Sequence, residues 1–159
     1  MILRSADSSD LPFIKAMLFE AIFWDPKMKR PDTKQFLSQP EIAKLLANWG
    51  KAGDYAVIAD ESGSPVGAGW FRLGTEEEHS WGYVDEQTPE LGLAVVSVWR
   101  SCGIGRKILQ NLRESARQKG YKAISLSVAP ENFALQLYQS EGFFKIGESG
   151  TSSTMLLHL

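Results

Sequence analysis

Apolar residues recur along the chain with two periods, and each change of period marks a new element. Ile2 and Leu3 open a short strand over Met1–Ser5, ended by the polar cluster Asp7-Ser8-Ser9-Asp10. That cluster caps a helix with Pro12 in its first turn and Leu11, Ile14, Met17, Leu18, Ala21 and Ile22 at helical spacing. Trp24-Asp25-Pro26 stops it. Lys27–Gln39, polar and broken by Pro31, reads as a loop with one helical turn, and Pro40–Trp49 as a second helix ended by Gly50.

Tyr55–Asp60 and Val66–Leu73 predict two antiparallel strands around the turn Glu61-Ser62-Gly63-Ser64. Gly67 and Gly69 interrupt the second of these, which points to a bulge or a close backbone approach. Gly74–Thr88 is a long polar loop, a kind of segment that is usually functional or mobile. The strand Glu90–Val96 comes next, then a long helix over Ile104–Lys119. Its inward face is Ile104, Ile108, Leu109, Leu112 and Ala116, and Gly120 is its C′ residue. Ile124, Leu126 and Val128 alternate with Ser125 and Ser127, which predicts a half-buried strand. A short helix over Asn132–Glu141 ends at Gly142. Phe143–Glu148 and Thr151–Leu159 then form a closing antiparallel pair around Ser149-Gly150.

The chain of 159 residues, 43% hydrophobic and 23% charged, has the make-up of one globular domain, residues 1–159, of the α/β (α+β) class. One cysteine excludes an internal disulfide framework and suits a reducing compartment. His79 and His158 lie far apart in sequence, so no metal site is expected. Arg4, Asp7 and Asp10 interrupt any apolar leader, and no run approaches the roughly 20 apolar residues of a membrane span. The expected setting is cytoplasmic, with no membrane partner. A net charge of −2 gives no general attraction for nucleic acid.

Charge is unevenly placed. Seven basic residues and one acid lie between Arg100 and Lys122, whereas Gly74–Glu90 carries Glu76, Glu77, Glu78, Asp85, Glu86 and Glu90 with no Lys or Arg. Two solvated faces explain this pattern; so does a basic side for an anionic cofactor and an acidic side for a cationic acceptor.

The run Arg100-Ser101-Cys102-Gly103-Ile104-Gly105 sits at the turn from strand to long helix. Small residues there let backbone N–H groups converge on one point at the positive end of the helix, a common phosphate site. A P-loop would need Lys-Ser/Thr after its last glycine, but Gly105 is followed by Arg106-Lys107-Ile108. A dinucleotide fingerprint would need a third glycine where Ile108 stands.

Residues 90–144 instead resemble the GCN5-related N-acetyltransferase (GNAT) superfamily. Its cofactor motif Gln/Arg-x-x-Gly-x-Gly/Ala is met by Arg100 to Gly105, after a strand Glu90-Leu91-Gly92-Leu93-Ala94-Val95 similar to the family's fourth. Asn132-Phe133-Ala134-Leu135-Gln136-Leu137-Tyr138 followed by Gly142-Phe143 resembles a second family segment. The resemblance implies the GNAT acyl-CoA N-acyltransferase fold, a mixed, mostly antiparallel central sheet flanked by helices, with acetyl-CoA as cofactor. It implies that the diphosphate sits on the amides from Cys102 to Arg106, with Arg100 near the nucleotide. The pantetheine would run beside Leu93, Ala94 and Val95, with Asn132 and Ala134 also at cofactor positions.

The implied chemistry moves an acetyl group directly to a primary amine in a ternary complex. The amine, with a pKa near 10, must lose a proton, and the departing thiolate is best protonated as it leaves. Tyr138 stands at the family's position for that acid; as a residue type it is equally a core tyrosine. Glu90 is the candidate base, with Asp85 and Glu86 nearby. The Val95 N–H is a candidate donor to the developing oxyanion. Asn132 also suits a helix cap. Cys102, with no histidine nearby, reads as a small cradle residue rather than a nucleophile. Trp24, Trp70, Trp81 and Tyr83 are candidate walls of an acceptor pocket, where stacking over a cation is available.

The acceptor is expected to be a small, cationic amine, and the protein a monomer or homodimer. A peptide or protein amine acceptor is the alternative within the class. A non-catalytic acyl-CoA sensor, and an oligomeric interaction protein with a vestigial cradle, are the alternatives outside it.

Overall fold

A computed structural model describes residues 1–159. Its strands are β1 (Ile2–Ser5), β2 (Tyr55–Glu61), β3 (Ser64–Arg72), β4 (Glu90–Val95), β5 (Ala123–Val128), β6 (Phe144–Ser149) and β7 (Ser152–His158). Its helices are α1 (Leu11–Ile22), α2 (Thr33–Ser38), α3 (Pro40–Ala43), α4 (Ile104–Gln118) and α5 (Ala134–Ser140). The strands form one sheet in the order β1-β2-β3-β4-β5-β7-β6. β1–β2, β2–β3, β5–β7 and β6–β7 pair antiparallel. β4 and β5 run parallel with the single register Glu90↔Ser125. This is the expected mixed, mostly antiparallel sheet with flanking helices.

The chain divides into two compact units, Met1–Phe71 with Gly92–Leu112, and Arg72–Leu91 with Arg113–Leu159. In the first unit, the polar cluster after β1 does what its residue types predict. Asp7 accepts the Ser9 N–H at 2.8 Å, and Asp10 accepts the Asp7 N–H at 2.9 Å, a capping box that starts the turn leading into α1. Asp10 also receives both guanidinium nitrogens of Arg4, at 2.8 and 2.9 Å. The β2–β3 turn takes Ser62 at φ 53° and Gly63 at φ 87°, the paired left-handed geometry of a tight hairpin. The core of this unit gathers Ile14, Met17, Leu18, Ile42, Leu46, Ile58, Ala68, Trp70 and Ala94.

Gly67 and Gly69 serve close approach. A Cβ on Gly67 would lie 3.1 Å from Ile108 Cδ1. One on Gly69 would overlap Ile108 Cγ2 and sit 2.8 Å from Leu112 Cδ1. The missing side chains are what bring the amphipathic face of α4 down onto β3. The bulge lies in the same hairpin, between Ala59 and Asp60 of β2.

The helical turn expected between Lys27 and Gln39 is α2, six residues that Asp32 starts by accepting the Gln35 N–H. One helical expectation needs correction. Pro40–Trp49 is not one helix: α3 gives way to a 3-10 turn over Lys44–Leu46, and Asn48 turns left-handed at φ 55°.

In the second unit, β5, β7 and β6 pair along most of their length. Gly120, at φ 88°, ends α4 with Gly120 N–H on Arg117 O and Tyr121 N–H on Ala116 O, satisfying two otherwise orphaned carbonyls. Ile124, Leu126, Val128, Tyr138, Phe143, Met155 and Leu157 are among its buried residues.

Candidate active site

Two groups of predicted residues are built separately, one on each unit. In the first unit, Ser101 adopts φ 61° and Gly103 φ 83°, and the right-handed helix α4 begins at the next residue. A left-handed residue before a right-handed one turns successive N–H groups toward one side. The helix's own bonding starts with Lys107 N–H to Gly103 O at 3.2 Å, so the Ile104 and Gly105 N–H groups before it have no acceptor one turn back within the helix. A Cβ on Gly103 would meet no atom within 4 Å, and Ser101, Cys102 and Gly103 are exposed. An open, N–H-lined concavity at the positive end of a 15-residue helix fits a diphosphate.

Arg100, expected beside the nucleotide, turns inward. Its Nε donates to Val95 O at 3.0 Å, and Nη2 donates to Glu20 Oε2 at 3.4 Å. The guanidinium thus braces the loop against the end of β4 and against α1. Cys102 Sγ lies 3.5 Å from Arg100 O, and the thiol is exposed. On β4, Ala94 and Val95 are buried and Leu93 is half-buried. Ile104 anchors the loop in the core, whereas Gly105 is half-buried and Arg106 exposed. Of the acceptor-wall tryptophans in this unit, Trp70 is a core residue whose ring fills the space over Gly92, where a Cβ would lie 2.7 Å from Cζ2. Trp24 is half-buried just after α1.

The second unit assembles a carboxyl site. Glu90 Oε2 accepts the Gly82 N–H at 2.9 Å, and the Ser80 side chain also favours the charged form of this carboxyl. Desolvation pushes the Glu90 carboxyl up to about 7, against the opposing pull of Gly82, Ser80 and the nearby His79. A carboxylate poised there is half-ionised at neutral pH, as a general base for amine chemistry should be. His79 stacks on Tyr83 with centroids 4.2 Å apart and its Nδ1 lies 2.7 Å from Ser80 O. Desolvation, and then the charges of Glu86, Glu76, Asp85 and Glu77, hold the Tyr83 phenol above its ordinary value. The predicted residues Glu90, Tyr83, Asp85 and Glu86 therefore share one loop-built neighbourhood. Trp81, in the same loop, is 47% exposed and free to stack on a ligand.

Tyr138 is buried, 5.9 Å from Phe143 in an edge-on arrangement, and burial holds its phenol well above the ordinary tyrosine range. It is fully protonated at neutral pH, the first requirement of an acid. Asn132 Oδ1 accepts the Ala134 N–H at 2.9 Å, the cap its residue type predicts, and orders the start of α5. Ser80, Gly82 and Ser125 were not singled out by sequence; the signal for them is spatial, since they meet Glu90 across a loop and a strand.

The sequence profile of the Acetyltransferase (GNAT) family matches residues 18–143. The chain belongs to the GNAT family. GNAT membership carries the activity: this is an acetyl-CoA-dependent N-acetyltransferase, the class that the loop and the carboxyl site fit. No curated protein matches this GNAT chain. Solved structures share its fold. A ribosomal-protein-alanine N-acetyltransferase from Brucella melitensis is 22% identical, with TM-score 0.72 and full coverage of both chains, 100% and 100%. The yncA structure from Salmonella typhimurium, solved with its cofactor acetyl-CoA, is 23% identical with TM-score 0.69, covering 100% of this chain and 94% of its own. The paia N-acetyltransferase from Thermoplasma acidophilum, in complex with coenzyme A, is 16% identical with TM-score 0.70, covering 99% and 98%. No helix of this GNAT protein is long and apolar enough to cross a membrane.

Proposed function

We propose that residues 1–159 act as a single N-acetyltransferase domain that transfers acetyl directly to the primary amine of a small cationic acceptor. One observation carries this reading. The loop between β3 and β4 joins a carboxyl poised near neutrality, Glu90, to a concentration of negative charge from Glu76, Glu77, Asp85 and Glu86 around Tyr83. A cationic amine needs both: charge to draw it in, and a base to make it nucleophilic.

Acetyl-CoA supplies an activated acyl carbon on a thiol leaving group. The N–H groups from Cys102 to Arg106 hold the diphosphate, and the backbone of Leu93–Val95 lines the pantetheine. Glu90, directly or through one water, accepts the proton of the ammonium and leaves a neutral amine to form the new C–N bond. Tyr138 would give its proton to sulfur as the C–S bond breaks; the second proton that the attacking nitrogen sheds on becoming an amide would restore the phenol, and Glu90 would release its proton to solvent, one proton for each acetyl transferred. Arg100 keeps the loop in register with β4. The exposed, unpaired Cys102 thiol suits a reducing, cytoplasmic setting.

A second reading, a peptide amine acceptor, is favoured by one comparison: the Brucella melitensis structure is a ribosomal-protein-alanine N-acetyltransferase. Thiol release from acetyl-CoA across an amine panel separates the two. The panel holds a polyamine, an amino sugar, an alanine-initiated peptide and an uncharged or anionic amine. Turnover with small cations, with a KM that rises with salt, is the expected result. Turnover with the peptide alone selects the second reading. Equal turnover of anionic and cationic amines refutes the role of the acidic loop.

A further inference from the structure

Three groups outside the reacting pair converge on Glu90, and none of them has a task in the mechanism above. Ser125 on β5 is fully buried, an unusual place for a serine, and its Oγ donates to Gly82 O at 2.8 Å. The same Gly82 donates its N–H to Glu90 Oε2 at 2.9 Å. Ser80, two residues earlier, acts on the Glu90 carboxyl in the direction that favours its charged form. Gly82 is required by space. A Cβ there would lie 2.6 Å from the Leu126 carbonyl carbon, 2.7 Å from Ser127 N and 2.8 Å from Glu90 Oε2. Backbone on one side and carboxylate on the other leave no room for any side chain.

We propose that Ser125, Gly82 and Ser80 are positioning residues that clamp the 74–89 loop to β5 and fix the Glu90 carboxyl for accepting the amine proton. The inference rests on the reading of Glu90 as base. Ser125 fixes the loop through the Gly82 carbonyl, and Gly82 and Ser80 supply the two donors that favour the charged carboxylate. Those donors offset part of the desolvation that burial imposes, which leaves the carboxyl near neutrality. The charged or titratable group acting on Glu90 from the loop is His79; β5 contributes the Ser125 hydroxyl and no charge.

The test is the pH profile of kcat/KM for a primary amine at saturating acetyl-CoA, in wild type, Ser80→Ala, Ser80→Thr, Ser125→Ala and Glu90→Gln. Wild type is expected to show a rising limb centred near pH 7, and Glu90→Gln to lose it. Removing a donor to the carboxylate raises its pKa. Ser80→Ala should therefore move the limb upward by about one pH unit, about a tenfold loss below it, and Ser125→Ala, which releases the Gly82 carbonyl and so loosens the Gly82 N–H on Glu90, should move it the same way. Ser80→Thr, which keeps the hydroxyl at a half-buried position, should restore the wild-type midpoint. If Ser125→Ala fails to fold, the half-buried Ser80 pair carries the test alone. A limb at the wild-type midpoint in Ser80→Ala, with Glu90→Gln inactive, overturns the clamp and leaves the base in place. An active Glu90→Gln overturns the base assignment, and the clamp with it.

Discussion

Replacing Gly103 with alanine separates backbone cost from ligand binding. Gly103 holds φ 83°, and a Cβ there would meet nothing within 4 Å. The cost to folding is therefore that of an L-residue in left-handed backbone, about 1–2 kcal/mol. For a chain of 159 residues each kcal/mol lowers Tm by about 2–4 °C, so a fall of about 2–8 °C is expected. Gly63, in the β2–β3 turn at φ 87° and equally open, supplies the control, and Gly63→Ala should cost the same. Binding should then divide the pair. The new methyl on residue 103 enters the space assigned to the diphosphate, where each N–H to a charged oxygen is worth about 1.5–3 kcal/mol. Losing one such bond weakens acetyl-CoA by about 10–150-fold. Calorimetric titration with acetyl-CoA, alongside thermal melts, reads both quantities. Equal affinity of the Gly103→Ala and Gly63→Ala proteins for acetyl-CoA would refute the cradle.

Three other substitutions probe separate links. Tyr138→Phe should melt close to wild type but lose about 10²–10⁴-fold in kcat at saturating acetyl-CoA; unchanged kcat removes the acid from the mechanism. Gly69→Ala forces a methyl against Ile108 and Leu112 of α4 and should cost about 1–3 kcal/mol, read as a lower urea midpoint; a neutral result means that α4 shifts freely. The Arg4 pair holds the Asp10 carboxyl below its ordinary value, so its contribution is complete above the unfolded pKa of about 3.9 and fades as pH falls through the folded one. Asp10→Asn should therefore be less stable than wild type at pH 7, with the gap closing below pH 4. A gap that stays constant on acidification contradicts this sign.

Much of the scaffold is legible in sequence because its determinants are local. Arg100 to Gly105 announces an N–H-lined turn through residue size alone, and the apolar face of α4 through spacing. Gly67 and Gly69 signal close approach before any partner is known. Short helices were less legible: Asp32 nucleates α2 within a polar stretch, and the pattern from Pro40 to Trp49 hides the left-handed Asn48. The surroundings of Glu90 were not readable, for a physical reason. Ser125 occupies the polar half of an alternating strand, which by period alone faces water. The 74–89 loop covers it instead, and Gly82 O satisfies its hydroxyl. A two-residue period separates one face from the other but not a solvated serine from a buried, paired one. Arg100 shows a similar limit: its motif position was plain, while its turn toward Val95 O and Glu20 depends on contacts distant in sequence.

Whether Glu90 is ready to take a proton from an amine at neutral pH can be observed without an acceptor. Carboxyl-labelled glutamate, followed by carbon NMR against pH and assigned with Glu90→Gln, reports its titration in the folded protein. A midpoint near 7, well separated from the other glutamates, is expected. A Glu90 resonance that titrates with them, around 4.3, would contradict it.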